Sequence, residues 1–354
     1  MSVVMLGFSA AGLCQTPYWQ DVSTVEVNRE APRTEFVTYT SEEKALTRDF
    51  SSSENYQLLN GNWKFLYYDS YKDVPASVTD PATDDSSWNE IKVPGNWELQ
   101  GYGTAIYVNH PYEFSPVNPQ PPQLPEATPV GVYRRTFTVD GSWADKDIFL
   151  NIAGAKSGVY VYVNGREVGY SEDSKDVAQF RLNDYLKDGE NTLVLKIYRW
   201  STGSYLECQD FWRISGIERD VYLSAQARTS IRDFDVVSTL DDTYTDGLFS
   251  LKVMTTGSGA CEVAYKLVDA AGKTVLSGSK QAQGGDEVLF TGEVADVEKW
   301  SAEEPNLYRL MMSIGSGAAK EYVPFNVGFR RFEIVPIDEK DASGRNYMVL
   351  LVNG

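Results

Sequence analysis

Aromatic and charged side chains are interleaved in residues 199–217, the stretch whose composition best suits ligand binding. The rings are Trp200, Tyr205, Phe211 and Trp212, the acids are Glu207 and Asp210, and the bases are Arg199 and Arg213. Rings cover the apolar C–H faces of sugars, and charged groups bind sugar hydroxyls through strong hydrogen bonds. The pattern therefore indicates a carbohydrate site. It equally fits a buried loop whose rings close the end of a β-sandwich, and the residues alone leave both interpretations open.

Two further stretches could contact the same ligand. Residues 93–103 are rich in aromatic and amide side chains, and residues 106–110 (Ile-Tyr-Val-Asn-His) share that character. The Asn109 amide can both donate and accept a hydrogen bond, which suits a sugar hydroxyl. An Asn in a loop commonly caps a turn instead. His110 is the single histidine of the chain, and packing within the loop is the simpler expectation for it.

The sequence contains no convincing catalytic set, so we predict no catalytic residue in this chain. One histidine excludes a multi-histidine zinc site, and neither a Gly-x-Ser-x-Gly elbow nor a nucleotide-binding glycine pattern is present. A glycosidase needs two carboxyl groups at a fixed separation across the scissile bond. With 50 acidic residues, pairs such as Glu207 and Asp210 are expected by chance. Glu172 and Asp173 are expected to be solvated at the exit of a hairpin.

Short β-branched and aromatic runs separated by turn signals fill residues 51–226. They predict an all-β fold that begins with a β-sandwich of the jelly-roll type. The Asn164-Gly165 pair between two such runs predicts a tight hairpin, because both turn positions require positive φ. Residues 111–129 hold seven prolines, so this loop cannot enter a sheet interior. We expect it to wrap over an edge of the sandwich, with a lid as the alternative.

A second module is predicted over residues 227–330. Its strand-like runs span residues 231–237, 247–253, 261–268, 307–314 and 325–334. Gly- and Ser-rich turns separate them, which favours an immunoglobulin-like sandwich that acts as a spacer. Residues 347–352 predict one more strand, and Asn353-Gly354 is a turn pair with no second strand after it. We therefore expect the natural polypeptide to continue beyond residue 354.

Charge restricts the class of partner. The 354-residue chain has a formal net charge of -18 at pH 7. Phosphate backbones and anionic lipid surfaces repel such a polyanion, so the sequence predicts neither a nucleic-acid nor a membrane partner. The three cysteines lie far apart in sequence, which excludes a disulfide framework.

The amino-terminal residues divide into two segments. Residues 1–14 include an uncharged apolar run that ends in small residues. This run predicts a signal-peptide remnant and hence a periplasmic or secreted protein, with a short buried strand or helix as the alternative. Residues 15–50 are charged and sparsely hydrophobic. They predict an extended arm that packs on something else and is poorly ordered alone.

Several blocks, in order from about Trp19, resemble the large β-galactosidases of glycoside hydrolase family two. They include Asn60-Gly61-Asn62-Trp63, Val93-Pro94-Gly95-Asn96-Trp97, Ile106-Tyr107-Val108-Asn109, Gly169-Tyr170-Ser171-Glu172-Asp173-Ser174 and the whole of residues 199–217. The resemblance covers nearly the whole chain. It implies a jelly-roll sugar-binding domain and an immunoglobulin-like domain that precede a (β/α)₈ catalytic barrel, with residues 331–354 as the lead-in to that barrel.

The resemblance also implies what individual residues do. Asn109 and Asp210 would bind the galactosyl group of a β-galactoside substrate, and Asp210 would also bind Na⁺ with ligands from the absent barrel. The catalytic glutamates and the Mg²⁺ ligands would lie in that barrel, outside this chain. Thr202 stands where the family has an Asp of a second, peripheral Mg²⁺ site, although Asp21 matches another ligand of it, so that site is left open.

Members of this family are retaining hydrolases, and the tetrameric ones use a segment like residues 15–50 at a subunit interface. The resemblance therefore implies a homo-oligomer. A non-catalytic carbohydrate-binding module is the alternative function, and a cell-surface adhesion module is a weaker third.

Overall fold

The computed structural model describes residues 16–109, 112–315 and 319–354. The predicted signal-peptide remnant at residues 1–14 lies outside this part of the chain, and so does His110. None of the described helices has the length and the apolar run that crossing a bilayer would require.

The first sandwich is built from short strands. Their bounds are β1 (Glu26–Val27), β2 (Tyr56–Leu58), β3 (Gly61–Tyr68), β4 (Asn89–Val93), β5 (Gly95–Asn96), β6 (Ile106–Val108), β7 (Val130–Thr138), β8 (Lys146–Ile152), β9 (Ala155–Lys156), β10 (Gly158–Val163), β11 (Arg166–Ser171), β12 (Ala178–Arg181), β13 (Glu190–Tyr198), β14 (Phe211–Arg213), β15 (Gly216–Ile217) and β16 (Val221–Ala227). Two short α-helices are α1 (Glu42–Thr47) and α2 (Ser204–Glu207). Single 3₁₀ turns span Tyr18–Gln20, Phe50–Ser52, Tyr71–Asp73, Ala76–Thr79, Glu98–Gln100 and Gly141–Trp143.

Two antiparallel sheets face each other in this sandwich. The larger has the order β1-β11-β10-β13-β7-β3-β4 and the smaller has the order β12-β8-β16-β2. Side chains from both sheets, such as Phe65, Leu195, Leu150 and Leu223, form the core between them. The larger sheet is also covered on its outer face, where Trp19 packs within a second apolar cluster. Burial on both faces explains why strands such as β13 are apolar at nearly every position.

The predicted Asn164-Gly165 hairpin is confirmed. Asn164 and Gly165 have φ values of 52° and 81°, and they join β10 to β11. Only residues that tolerate the left-handed region can occupy both positions of such a turn.

The second sandwich follows directly. Its strands are β17 (Ser230–Leu240), β18 (Gly247–Thr256), β19 (Ala260–Val268), β20 (Thr274–Gln283), β21 (Glu287–Val294), β22 (Tyr308–Gly315) and β23 (Glu321–Val327). They form the sheets β17-β18-β21 and β20-β19-β22-β23, with an apolar core between them. The predicted all-β fold of two successive sandwiches is confirmed.

The predicted run at residues 325–334 is wrong as a single strand. β23 ends at Val327, and β24 (Phe332–Lys340) begins a separate two-stranded sheet with β25 (Asn346–Val352). The strand is interrupted here because the chain folds over Trp300, whose backbone N–H donates to the Phe329 carbonyl at 2.9 Å. Asn353 and Gly354, predicted to form a turn pair, have positive φ values of 63° and 93°, and the Asn353 side chain also closes this small sheet. Its amide oxygen accepts from the Arg331 N–H at 3.0 Å, and its Nδ2 donates to the Trp300 carbonyl at 3.0 Å.

The arm at residues 16–50 packs on its own chain and contacts both sandwiches. Near its start, β1 pairs with β11 of the first sandwich. Phe36 then enters the core of the second sandwich, and Tyr39 and Tyr322 exchange backbone hydrogen bonds of 3.0 and 2.9 Å. The arm thereby fastens one sandwich to the other.

Candidate functional site

The predicted ligand stretches meet in a two-stranded ribbon formed by β6 and β14. Phe211 pairs with Val108, Trp212 with Tyr107, and Arg213 with Ile106. Side chains directly opposite each other share a face, and successive residues alternate between faces. The ribbon therefore has one face that carries Tyr107 and Trp212 and another that carries Phe211 and Arg213.

The first of these faces is exposed and holds both predicted site residues at one end. Tyr107 and Trp212 are each 55% exposed. Asn109 and Asp210 are also exposed, and each lies one residue beyond the paired Val108 and Phe211. The structure thus brings Asn109 and Asp210 to the same end of the ribbon, although their roles in binding stay predictions.

Tyr107 was not singled out by the sequence, yet it contacts Asp210 directly. Its hydroxyl donates a 2.8 Å hydrogen bond to Asp210 Oδ1, and this bond to a carboxylate raises the pKa of Tyr107. Its ring lies 5.7 Å from that of Trp212, at an interplanar angle of 59°. The alternation of residues 106–109 could have indicated that Tyr107 shares a face with Asn109. Pairing with a strand more than a hundred residues later could not be inferred from that pattern.

The inward face of the ribbon is surrounded by cations. The Phe211 ring centroid lies 4.6 Å from Lys156 Nζ, 5.1 Å from Arg213 Cζ and 5.9 Å from Lys175 Nζ. Lys156 is buried, and its ammonium group has no hydrogen-bond partner among the described residues. Burial lowers the pKa of Lys156. Cation–π contacts are the attraction that holds these groups to the ring.

A buried ion pair behind the ribbon fixes its position. Arg213 Nε lies 3.3 Å from Glu113 Oε2, and both side chains are almost fully buried. Glu113 Oε1 accepts a 2.9 Å hydrogen bond from the Trp200 indole N–H. Glu113 belongs to the proline-rich loop, so this pair joins that loop to residues 199–217. Two aromatic contacts of Phe114, with Trp200 and Tyr205, extend the same junction.

This packing supports the prediction that the proline-rich loop wraps an edge of the sandwich. Its described residues, 112–129, are attached to the central stretch by the ion pair, by the rings and by a hydrogen bond from the Tyr205 hydroxyl to the Gln123 carbonyl. Trp200 therefore packs inward while Trp212 faces outward. The interpretation as a packed loop therefore holds for Trp200, whereas the interpretation as a carbohydrate site stays a prediction for the exposed Trp212.

Residues 93–103 support the site from below. Trp97 is fully buried, and its indole N–H donates to the Tyr133 hydroxyl at 2.5 Å. Glu98 is buried too, with Oε1 at 3.4 Å from Arg199 Nη1 and Oε2 accepting from the Ser215 N–H at 2.8 Å. Burial raises the pKa of Glu98. The structure gives no support to the expectation that this stretch contacts ligand, because Trp97 and Tyr102 pack in the core and the amides of Asn96 and Gln100 bind backbone groups of Ser215 and Lys92.

The acids considered for catalysis are held in structural hydrogen bonds. Glu207 accepts from the Ser174 N–H at 2.8 Å and from the Ser174 hydroxyl at 2.5 Å. Glu172, expected to be solvated, is only 4% exposed and accepts from the Thr202 and Tyr170 hydroxyls at 2.8 and 2.9 Å. Burial raises the pKa of both carboxyl groups. The prediction of a solvated Glu172 was wrong because the hydroxyl groups of Tyr170, two residues earlier, and of Thr202, on a distant segment, replace water as its partners.

The predicted metal sites can be compared with the side chains that could bind an ion. No group of three or more His, Cys, Asp or Glu side chains that could hold an ion occurs within residues 16–109, 112–315 and 319–354. Asp21 accepts from the Ser23 and Thr24 hydroxyls at 2.7 and 2.8 Å, within its own turn. The Thr202 hydroxyl donates to Glu172. These contacts give no support to the peripheral Mg²⁺ site that the sequence left open.

Comparison of the chain with known proteins identifies its family. The family described as "Glycosyl hydrolases family 2, sugar binding domain" matches residues 56–227, and "Glycosyl hydrolases family 2" matches residues 229–330. A beta-galactosidase of Priestia megaterium is 38% identical over 340 residues, which are 90% of this chain and 32% of that protein. A beta-galactosidase of Alteromonas mediterranea is 37% identical over 330 residues, 89% of this chain and 31% of that protein.

The fold is also shared with solved structures. The crystal structure of Bacteroides uniformis beta-glucuronidase superposes with a TM-score of 0.64 at 22% identity, covering 84% of this chain and 34% of that one. At this identity the likeness concerns the fold alone. The chain spans about a third of the length of the curated relatives it matches. Since two domain families match both sandwiches in order, the chain belongs to glycosyl hydrolases family 2, of which it carries the sugar-binding domain and the immunoglobulin-like domain.

Proposed function

We propose that this chain supplies the galactosyl-binding part of a retaining β-galactosidase that hydrolyses terminal β-D-galactosides. One observation carries the proposal: the β6–β14 ribbon holds Asn109 and Asp210 together at its exposed end. The curated relatives named beta-galactosidase, at 38% and 37% identity, support galactose as the sugar.

In this function the residues of the chain bind and orient the sugar. The Tyr107 hydroxyl donates a hydrogen bond to Asp210 Oδ1, and the other carboxylate oxygen, Oδ2, can accept hydrogen bonds from galactosyl hydroxyls. The Asn109 amide can donate to one hydroxyl and accept from another. Fixed contacts of this kind place the anomeric carbon against a catalytic group and lower the entropic part of the barrier. The two glutamates of the double displacement lie outside this chain in our proposal, because the acids near the ribbon are held by Ser174, Thr202 and Tyr170.

Ions and partners complete the proposal. An exposed carboxylate oxygen is a suitable ligand for Na⁺, and Asp210 would hold this ion together with oxygen ligands from the catalytic part. Bound Na⁺ would supply positive charge that attracts galactosyl hydroxyls. The Mg²⁺ ligands are proposed to lie in the catalytic part as well. The protein would act as a periplasmic or secreted homo-oligomer.

One surface suits contact with the catalytic part. The β24–β25 sheet exposes a row of apolar side chains on one face: Phe332, Ile334, Met348, Leu350 and Val352. Adjacent exposed apolar groups of this kind mark an interaction surface. We propose that this face packs against the catalytic barrel.

A chimera tests the function. Residues 16–330 replace the matched part of the Priestia megaterium enzyme, and hydrolysis of 4-nitrophenyl β-D-galactoside is measured. Hydrogen bonds to charged groups are worth about 1.5–3 kcal/mol, so Asp210→Asn should lower kcat/KM about tenfold to a hundredfold. Asp184→Asn, an exposed acid away from the ribbon, serves as the matched control. An active chimera in which Asp210→Asn retains full kcat/KM contradicts the proposal.

Two further readouts test the finer statements. Retention predicts that the first product seen by NMR is β-galactose. Replacement of Na⁺ by K⁺ should change KM in the parent chimera but not in Asp210→Asn. The alternative function, a non-catalytic carbohydrate-binding module, is favoured by the fact that the ribbon face is already formed in this chain. It would be supported by tight galactoside binding to the chain together with an inactive chimera.

A further inference from the structure

The second sandwich, which the sequence predicts to be a spacer, carries a pocket on the outer face of its four-stranded sheet. The pocket encloses about 210 Å³. Along β19 and β22, Leu267 and Leu310 point into the core, so the residues next to them in sequence point outward. Two of these, Val268 and Met311, form an apolar floor. The helix α1 covers the adjoining part of the same face, where Ala45 and Met311 belong to one apolar cluster.

Cationic side chains surround this floor, although the chain has a formal net charge of -18. Three cationic residues and one acidic residue line the pocket: Arg48, Lys266, Arg309 and Glu42. Arg48 directly follows α1, and Lys266 and Arg309 lie on the paired strands β19 and β22. Glu42 Oε1 lies 2.5 Å from Lys266 Nζ. The acid therefore neutralises the lysine, and the charge of the two arginines is left uncompensated.

These two arginines have no structural partner. Elsewhere in the chain, Arg134 donates to two backbone carbonyl groups, and Arg331 pairs with two carboxylates. The side chains of Arg48 and Arg309 make no hydrogen bond, ion pair or ring contact within residues 16–109, 112–315 and 319–354. Both are exposed. Two guanidinium groups at the rim of one pocket are thus available to an external anion.

The chemistry of the pocket suits a small organic anion. A planar guanidinium group binds a carboxylate or a phosphate through two parallel hydrogen bonds. A dry apolar cavity of about 150 Å³ holds benzene, so 210 Å³ can accommodate a ring-sized apolar body over Val268 and Met311. At physiological ionic strength, exposed charges more than about 8 Å away are largely screened. The nearby arginines therefore determine the sign of the local field, and the net charge of the chain does not.

We propose that this pocket binds an organic anion in which a carboxylate or phosphate is joined to a ring-sized apolar body. Arg48 and Arg309 bind the anionic group, and Val268 and Met311 contact the body. The pocket contains neither Asn109 nor Asp210, so the inference goes beyond the proposed function and does not depend on it. A free metabolite and the carboxyl terminus of a peptide that ends in an aromatic residue share this chemistry, and the test distinguishes them.

The test uses three probes on the purified 354-residue chain. Phenylacetate carries both the anion and the ring, acetate carries the anion alone, and benzyl alcohol carries the ring alone. Dissociation constants are measured by ligand-observed NMR titration. We expect a value of about 1 mM for phenylacetate and binding at least about tenfold weaker for each of the other two. Raising NaCl from about 50 mM to about 500 mM should weaken phenylacetate binding about threefold.

Substitution of the arginines tests their role. Arg48→Gln and Arg309→Gln should each weaken phenylacetate binding about threefold to tenfold, and the double variant should show no detectable binding. Arg309→Lys keeps the charge but loses the planar fork, so its effect should be intermediate. Arg228→Gln is the matched control, because Arg228 is also exposed, has no described side-chain partner and lies outside the pocket. Circular dichroism and thermal unfolding should show that all variants fold as the parent does.

A peptide distinguishes the two sources of the anion. N-acetyl-glycyl-phenylalanine is compared with its carboxyl-terminal amide, which lacks the charge. Tighter binding of the free acid than of phenylacetate assigns the pocket to a peptide terminus, and weaker binding assigns it to a free metabolite. Either result supports the anion pocket.

Four results would overturn the inference. They are no binding of phenylacetate at about 10 mM, equal binding of phenylacetate and benzyl alcohol, unchanged binding in the double variant, and an equal loss in Arg228→Gln. None of these measurements involves hydrolysis of a galactoside, so failure of the pocket and failure of the proposed function are read from separate experiments.

Discussion

Glu113 and Arg213 form a buried ion pair, 3.3 Å from Oε2 to Nε, that joins the proline-rich loop to the strand bearing Trp212. Two charges removed from water are tolerated here because each also has neutral partners. The indole N–H of Trp200 donates to Glu113, and the Phe211 carbonyl accepts from Arg213 at 3.2 Å. The ribbon is thus held from behind by groups that no ligand can reach.

Removal of one partner of this pair should be strongly destabilising. Arg213→Met leaves the Glu113 carboxylate buried without its cation, and such changes lower the free energy of unfolding by about 3–5 kcal/mol. Chemical denaturation measures the effect. The double variant Glu113→Leu/Arg213→Met should recover much of the loss, and Lys72→Ala, at an exposed ion pair, should leave stability unchanged. A fully stable Arg213→Met would show that the pair does not anchor the ribbon.

Lys156→Met should stabilise the protein. The Lys156 ammonium is buried without a hydrogen-bond partner among the described residues. An unpaired buried charge costs several kcal/mol, whereas a desolvated cation–π contact returns only about 2 kcal/mol. A methionine keeps the contact with Phe211 through its sulfur, so we expect a gain of about 1 kcal/mol. The half-exposed Lys175 gives the control Lys175→Met, which should show no gain. A less stable Lys156→Met would mean that the ammonium is better solvated than its burial indicates.

Glu321 gives a pH-dependent prediction. Burial raises the pKa of Glu321 above its ordinary value of 4.5. Between 4.5 and that raised pKa, the unfolded chain has lost a proton that the folded chain retains. The free energy of unfolding therefore falls as the pH rises through this range, by at most about 1.4 kcal/mol per pH unit for one group.

Glu321→Gln cannot titrate, so its stability should depend less on pH in that range, and the variant should gain most over the parent above it. Denaturant titrations between about pH 4 and pH 8, the range in which a carboxyl group of raised pKa titrates, measure the slopes. The exposed Glu43→Gln should keep the parent slope. Equal slopes in Glu321→Gln and the parent would contradict the assignment.

Gly131 tests the packing beneath the site. A Cβ atom at Gly131 would lie 2.5 Å from Trp97 Cζ2 and 2.9 Å from Phe65 Cε2. Both rings are buried, so Gly131→Ala should lower the free energy of unfolding by about 1–3 kcal/mol through overpacking. Gly141 has nothing within 4 Å of its Cβ position, and Gly141→Ala is the matched control. A neutral Gly131→Ala would show that Trp97 can shift without loss.

Local features could be predicted from the sequence, but contacts between residues far apart in the chain could not. The Asn164-Gly165 turn depends on two adjacent residues, and it was predicted correctly. Asn109 and Asp210 were predicted as site residues from the sequence, but their position at the same end of the ribbon depends on the register of two strands far apart in the chain. Tyr107 was missed for the same reason.

Burial was the other property that sequence patterns could not establish. Trp97 and Glu98 belong to an aromatic and amide-rich stretch that looks like a ligand surface, yet both point into the sandwich. Glu172 follows a hairpin and looks solvated, yet it is buried and accepts hydrogen bonds from the nearby Tyr170 hydroxyl and from the Thr202 hydroxyl of a distant segment. The strands β20 and β21 were missed because many of their residues are polar and exposed, which hides the apolar alternation of a strand.

The path of the arm has a consequence for synthesis on the ribosome. Tyr39 pairs with Tyr322, so the arm cannot complete its contacts until nearly three hundred further residues have emerged. At about 5–20 residues per second, that delay is on the order of tens of seconds. During this time Phe36, Val37 and Tyr39, all buried in the finished structure, lack part of the surface that covers them. The nascent chain is therefore most prone to aggregate in the interval before its second sandwich is made, and a chaperone that binds apolar segments should protect this arm first.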